Sequence, residues 1–216
     1  MNENGTPGVF AQCGTFFRAL RETAKYLAGR MSAVRRPYER WLAVRLPDSV
    51  RSVLFVCKGN ICRSPLAEVY FQSLVQKRSV GIRVCSAGLE TTPGKPAHAK
   101  AKAVARQHGL VLDGHATTQT GAELIDQSDL IVVMEVMQKT RIHRLYPRSK
   151  GKVVLLGRFD SAGPLEIADP YSGTDEDFHA CFTQMSRCCD ALAEKLRAGK
   201  DESSVNPTAA VVQGHS

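Results

Sequence analysis

An apolar run, Ser52-Val53-Leu54-Phe55-Val56, breaks directly into Cys57-Lys58-Gly59-Asn60-Ile61-Cys62-Arg63-Ser64-Pro65, and no other junction constrains the fold as much. The run reads as a buried strand. Ser64-Pro65 opens a helix carrying Leu66, Ala67, Val69, Tyr70 and Phe71, since proline is favoured in a first helical turn. Strands are expected near 52–57, 82–87, 129–134 and 152–156, with helices near 65–77, 97–108, 136–146 and 175–197. That alternation predicts an α/β domain, an open parallel sheet of four strands with helices on both faces. Ligands of such sheets bind at the carboxyl ends of the strands, and the Cys57 loop leaves the first strand at such an end.

The order of residues in that loop matches one kind of chemistry. Backbone N–H groups of a short loop entering a helix point inward, and the helix dipole adds positive potential, so the loop is a cradle for a phosphate-like dianion. Without a ligand, the same cradle stabilises negative charge on the Cys57 sulfur. A free cysteine ionises near ~8.5, helix N-termini and cations lower that value, and the thiolate is the attacking species. Gly59 suits a tight turn or positive φ, and Asn60 tolerates the left-handed region while hydrogen-bonding locally. Arg63 offers a planar fork for two phosphate oxygens. Ser64 is placed as an N-cap that can also donate to the sulfur. The competing reading is a plain strand-end cysteine beside an ordinary Gly-Asn turn. The strand before the loop and the Ser-Pro after it weigh against that.

A second constellation, Ala168-Asp169-Pro170-Tyr171-Ser172-Gly173, lies about a hundred residues downstream. Transfer of a phosphoryl group from an oxygen ester needs an acid to protonate the leaving group. Pro170 biases Asp169 toward an extended conformation and limits how far the acid wanders. Tyr171 can present an aromatic wall to a planar leaving group. Alone, Asp-Pro-Tyr is a turn. Its meaning comes from pairing with the Cys57 loop.

Together these motifs resemble the low-molecular-weight protein tyrosine phosphatases, bacterial type, over roughly residues 51–197. Ser86-Ala87-Gly88, Gly114-His115, Val132-Val133-Met134-Glu135 and Val153-Val154-Leu155-Leu156-Gly157-Arg158-Phe159 fall at matching places between them. The resemblance implies a flavodoxin-like fold, with Cys57 as nucleophile, Arg63 as phosphate clamp and Asp169 as general acid, then base. Lys58, Gly59, Asn60, Ile61, Cys62, Arg63 and Ser64 would form the phosphate loop, braced by Asn60, Ser64, Ser86 and His115. Tyr171, Leu89 and Thr92 would form the pocket wall. Relatives often place an aromatic where Thr91 and Thr92 stand, so aryl selectivity would rest mostly on Tyr171. The usual arginine after Gly-His is absent from Ala116-Thr117-Thr118-Gln119, and Ser172 replaces the second tyrosine of many eukaryotic members. Lys58 is either an attractor of acidic substrates or a solvated lysine. Cys62 is either the partner of a protective disulfide with Cys57 or a small buried residue.

The implied substrate is a phosphotyrosine protein, with a bacterial tyrosine autokinase of exopolysaccharide or capsule export as the expected partner. Competing assignments are an arsenate reductase of the same architecture, a phosphoarginine phosphatase, and a module that merely recognises phosphate. The reductase needs a cysteine pair before the Asp169 loop, whereas Cys181 and Cys188 follow it. No cofactor is implied, and no nucleic-acid partner. The six histidines are scattered and no Cys-x2-Cys occurs, so no metal is expected. The seven cysteines lack a disulfide-scaffold spacing, and a thiolate enzyme needs a reducing compartment, which points to the cytoplasm. Oligomeric state is not set by the sequence.

Residues 1–50 read as a flexible start followed by a basic helical extension. Between residues 15 and 46, eight Arg or Lys stand against Glu22 and Glu39, most of the chain's formal charge of +8. Such a segment packs on the domain, meets a partner, lies on an anionic membrane surface, or precedes a true start at Met31. Residues 198–216 read as a disordered tail.

Overall fold

The computed structural model describes residues 46–78, 81–161 and 163–205. The readings of residues 1–45 as a basic extension, and of residues 206–216 as tail, lie outside the described residues. Four strands form one all-parallel sheet in the order β2-β1-β3-β4, with β1 at Ser52–Cys57, β2 at Arg83–Gly88, β3 at Leu130–Val133 and β4 at Val153–Leu155. The helices are α1 (Arg63–Lys77), α2 (Ala99–Gln107), α3 (Ala122–Asp126), α4 (Val136–Leu145) and α5 (Asp175–Val205).

Every residue of β1, β3 and β4 is buried, as expected where helices cover both faces of a parallel sheet. Successive side chains of a strand point to opposite faces, and β1 divides the core accordingly. Val53, Phe55 and Cys57 join Leu66 and Phe71 of α1, Val104 of α2, and Phe178, Met185 and Leu192 of α5. Leu54 and Val56 join Ile131 and Val133 of β3, with Ile125 of α3 and Ile142 of α4. Phe55 and Phe71 meet edge to face with ring centroids 5.4 Å apart. A fully buried side chain of this size contributes about 1.5–3 kcal/mol, so the strand is held from both sides.

Two boundaries and one short helix differ most from expectation. Helix α1 begins at Arg63, so Ser64 lies inside its first turn and Cys62 takes the N-cap position without a side-chain cap bond. The five-residue α3 was not expected, because so short a segment shows no helical period. Helix α5 runs on to Val205 through residues read as tail, and no proline interrupts the sequence before Pro207.

The amino ends of β1 and β3 are tied by Asp129. Its Oδ2 accepts from the backbone N–H groups of Arg51 and Ser52, both at 2.9 Å, and from the Ser52 hydroxyl at 2.8 Å. Burial is the largest single influence on this carboxyl and pushes its pKa up. The hydrogen bonds from Ser52 and the Arg51 amide outweigh that and hold it below the ordinary value. A carboxyl with a depressed folded pKa takes up its proton more readily in the unfolded chain. Its contribution is therefore complete above the ordinary carboxylate range and is lost as pH falls through the depressed value. Asp129→Asn is expected to lower stability at neutral pH by about 1 kcal/mol. In urea titrations repeated from pH 7 down to pH about 3, the gap between parent and variant should close; a constant gap would show the charge to be irrelevant.

Candidate active site

β1 delivers Cys57 to the carboxyl end of the sheet, and the chain crosses residues 58–62 to enter α1. Within this loop Asn60, not Gly59, takes the left-handed conformation, with φ 54°. That turn lets the Asn60 N–H donate to the Cys57 Sγ at 3.3 Å, while the Ser64 hydroxyl lies 3.0 Å from the same sulfur. Asn60 is fully buried and is the hub of the loop. Its Nδ2 donates to the hydroxyls of Ser64 (3.0 Å) and Ser86 (2.8 Å), and its Oδ1 accepts from the Thr118 N–H at 2.8 Å. The His115 ring Nε2 lies 2.8 Å from the Asn60 carbonyl, and Ser86 donates onward to Glu68 at 2.5 Å. Behind the loop, a Cβ on Gly88 would stand 3.0 Å from the backbone of Lys58 and Gly59, so a bare glycine lets β2 support the loop at this distance.

Arg63 carries a side chain only 2% exposed. Its guanidinium meets the Glu135 carboxylate, the Ile167 carbonyl at 3.0 Å and the Asp169 carboxylate at 2.8 Å. Burial would lower its pKa, but the surrounding Cys57, Glu135 and Asp169 reverse that and hold it above the ordinary value, so it remains a cation. Its Nε–H is buried and has no acceptor. A buried donor without a partner costs about 1–3 kcal/mol, so an orphan at this point marks a place for an incoming acceptor. Burial first, then the neighbouring Cys57 and Asp169, push the Cys62 thiol up to about 12. Cys62 therefore stays protonated at neutral pH, and both it and Cys57 are free thiols.

A cavity of about 200 Å³ opens over this loop, lined by Cys57, Lys58, Gly59, Ile61, Cys62, Arg63, Glu90, Asp169 and Tyr171. Asp169 stands at its rim with a side chain 42% exposed. Tyr171 is 56% exposed, and its ring is supported from below by His98. The His98 ring meets Tyr171 edge to face at 5.7 Å and stacks on the fully buried Phe178 at 5.1 Å. The His98 N–H also donates to the Ile61 carbonyl at 2.8 Å, and its Nδ1 caps α2. One residue thus touches both the loop and the aromatic wall.

The structure brings Cys57, Lys58, Gly59, Asn60, Ile61, Cys62, Arg63, Ser64, Ser86, His115, Asp169 and Tyr171 together. It does not place Leu89 or Thr92 on the cavity. Leu89 is buried with its N–H on the Cys57 carbonyl, and Thr92 is exposed with its carbonyl accepting from Thr117. The wall between them is Glu90. Sequence reasoning gave no site role to Glu68, Glu90, His98, Thr118 or Glu135. Only Glu135 carries a signal, a carboxylate two residues past a buried strand at the ligand-binding end of the sheet. Among the described residues no cluster of three His, Cys, Asp or Glu side chains is arranged to hold a metal ion.

The fold and loop define an α/β protein that presents a thiol, a guanidinium and a carboxyl around one anion-sized cavity. The family model for low molecular weight phosphotyrosine protein phosphatase matches residues 52–202. The low molecular weight protein-tyrosine-phosphatase Wzb of Escherichia coli K12 is 40% identical over 147 residues, covering 68% of this chain and 96% of the relative. The crystal structure of Wzb from Escherichia coli K30 in complex with sulphate superposes with a TM-score of 0.64 at 34% identity, covering 68% of this chain and 99% of that one. The YwlE arginine phosphatase from Geobacillus stearothermophilus superposes with a TM-score of 0.65 at 31% identity, covering 77% and 99%. The chain belongs to the low molecular weight phosphotyrosine protein phosphatase family.

Replacing Asn60 by alanine removes the acceptor of the Thr118 N–H and the donor to two hydroxyls, and puts an ordinary residue at positive φ. Stability should fall by about 1–3 kcal/mol. Turnover of an aryl phosphate should fall about 10–100-fold, because a displaced loop misplaces both sulfur and guanidinium. Thermal unfolding and steady-state rates on one preparation check this; a destabilised but fully active variant would reduce the network to scaffolding.

Proposed function

We propose that this phosphatase hydrolyses phosphotyrosine in proteins through a cysteinyl-phosphate intermediate. The observation that carries the reading is the buried Arg63, which follows the sulfur-bearing loop, holds the Asp169 carboxyl at 2.8 Å and keeps an unpartnered Nε–H. The Cys57 thiolate attacks phosphorus in line, and Asp169 gives its proton to the departing phenolic oxygen. The phosphorus–oxygen bond breaks as the phosphorus–sulfur bond forms. Asp169 then takes a proton from water, which displaces the sulfur and releases inorganic phosphate. Negative charge on the phosphoryl oxygens falls on Arg63 and the amides of residues 58–63 in both steps. The Ser64 hydroxyl, 3.0 Å from Sγ, is placed to stabilise the thiolate when it leaves.

The walls favour a phenyl ring over a guanidinium. Tyr171 and Ile61 offer aromatic and apolar surface, and both carboxylates of the cavity are already engaged, Glu90 by Arg141 and by Lys58 at 4.0 Å, and Asp169 by Arg63 at 2.8 Å. Cys188 is fully buried on α5 with its thiol pushed up to about 12 by burial, a poor relay for arsenate reduction. The reading includes a bacterial tyrosine autokinase of exopolysaccharide or capsule export as the substrate protein, supported by likeness to Wzb. It also includes work in the cytoplasm, supported by the free thiols around the cavity. Among the described residues no helix is long and apolar enough to cross a membrane.

The test is hydrolysis of aryl phosphates by parent, Cys57→Ser and Asp169→Ala, with chelator present. The serine variant should be inactive. The alanine variant should lose about 10²–10⁴-fold in kcat, most for phenols of high pKa and least for nitrophenol, which leaves without help. Activity retained by Cys57→Ser would refute the mechanism.

A further inference from the structure

A second depression of about 500 Å³ adjoins the active-site cavity and shares Lys58 and Asp169 with it. Its floor is a face of α4, where Met137, Arg141 and Arg144 follow one another at spacings of four and three residues and so line up on one side of the helix. Met137 is 45% exposed, and the buried Leu89 closes the far side. The two carboxylates in the depression, Glu135 and Asp169, both contact the Arg63 guanidinium, whose single positive charge offsets one of them. The cations are not met to the same degree. Arg144 is exposed and makes no ion pair among the described residues. Arg141 pairs with Glu90, yet its Nε–H is buried without an acceptor. Lys58, at the seam between the two depressions, is 68% exposed and 4.0 Å from the same Glu90.

A phosphotyrosine seated over Cys57 must run its polypeptide chain out of the cavity, and this groove is continuous with the opening. We propose that the groove seats the segment adjoining the phosphotyrosine of a protein substrate and selects segments rich in Asp or Glu. The inference rests on the phosphatase reading above and narrows it to acidic protein substrates. A carboxylate of the segment meets Arg144 and the Nε–H of Arg141, while the segment's aliphatic stems lie on Met137 and Leu89. The selectivity comes from charge complementarity at the rim, so it acts on encounter and KM rather than on the bond-breaking step.

The experiment compares two phosphotyrosine peptides identical except for Glu or Gln at the flanking positions, with p-nitrophenyl phosphate as a substrate too small to reach the groove. The full chain is used as parent, Arg144→Ala, Arg144→Glu and Arg144→Lys. In the parent, kcat/KM for the Glu peptide should exceed that for the Gln peptide by about fivefold, expressed in KM. Raising salt from about 0.05 M to about 0.5 M should shrink that advantage, since exposed charges are screened. Arg144→Ala should reduce it, Arg144→Glu should abolish or invert it, and Arg144→Lys should keep most of it. Rates on p-nitrophenyl phosphate should be equal in all four, which also shows that each is folded. Equal rates on both peptides in the parent, or an advantage untouched by Arg144→Glu, would overturn the proposal. Failure of the parent on all three substrates would instead overturn the phosphatase assignment beneath it.

Discussion

The structure around the cavity is organised by one buried cation. Arg63 is the first residue of α1, and its guanidinium reaches away from that helix to Glu135 beyond β3, to the Ile167 carbonyl and to Asp169. Three separate stretches of chain therefore converge on one planar group. An isolated charge could not be buried so deeply, because taking it out of water costs several kcal/mol without compensation. The two carboxylates provide that compensation and are positioned by providing it. Asp169 sits at the rim because Arg63 holds it there, and the buried Nε–H is left without a partner.

Such convergence depends on the sheet beneath it. In a parallel sheet with β1 between β2 and β3, the ends of three strands open onto the same side, and loops from all three can meet. The Leu89 N–H donates to the Cys57 carbonyl, and the Glu90 N–H donates to the Lys58 carbonyl, so the chain after β2 continues to pair with the Cys57 loop beyond the sheet proper. Gly88 permits that approach. The loop's shape is therefore carried by main-chain bonds on one side and by Asn60 on the other. Both sides together fix the path of the segment between strand and helix.

Much of this was readable from residue order. The apolar runs at β1, β3 and β4 predict an α/β parallel sheet, and the fold is that. The residues from Cys57 to Ser64, with Asp169 and Tyr171, were singled out by local chemistry, and the structure brings them to one cavity. What was not readable is whatever depends on distance in space alone. Glu68, Glu90 and Thr118 stand in ordinary sequence surroundings and matter only because β2, α1 and the segment after residue 115 pass close together. The family resemblance implies Leu89 and Thr92 as wall residues, whereas Glu90, between them, is the residue that lines the cavity. Helix α3 escaped notice because five residues carry no period, and α5 outran its expected end because polarity alone does not stop a helix.

The aromatic wall is anchored differently from the rim beside it. Tyr171 leans on His98, and His98 on Phe178, so the wall is fastened to the hydrophobic interior through stacked and edge-on rings. Ring contacts of this kind respond weakly to dissolved ions, whereas the exposed cations of α4 respond strongly. The two surfaces that a substrate meets in succession are thus governed by different forces. A change in ionic surroundings would retune which proteins are drawn in while leaving the grip on the phenyl group as it was, so that choice of partner and efficiency of cleavage can drift apart in evolution without either damaging the other.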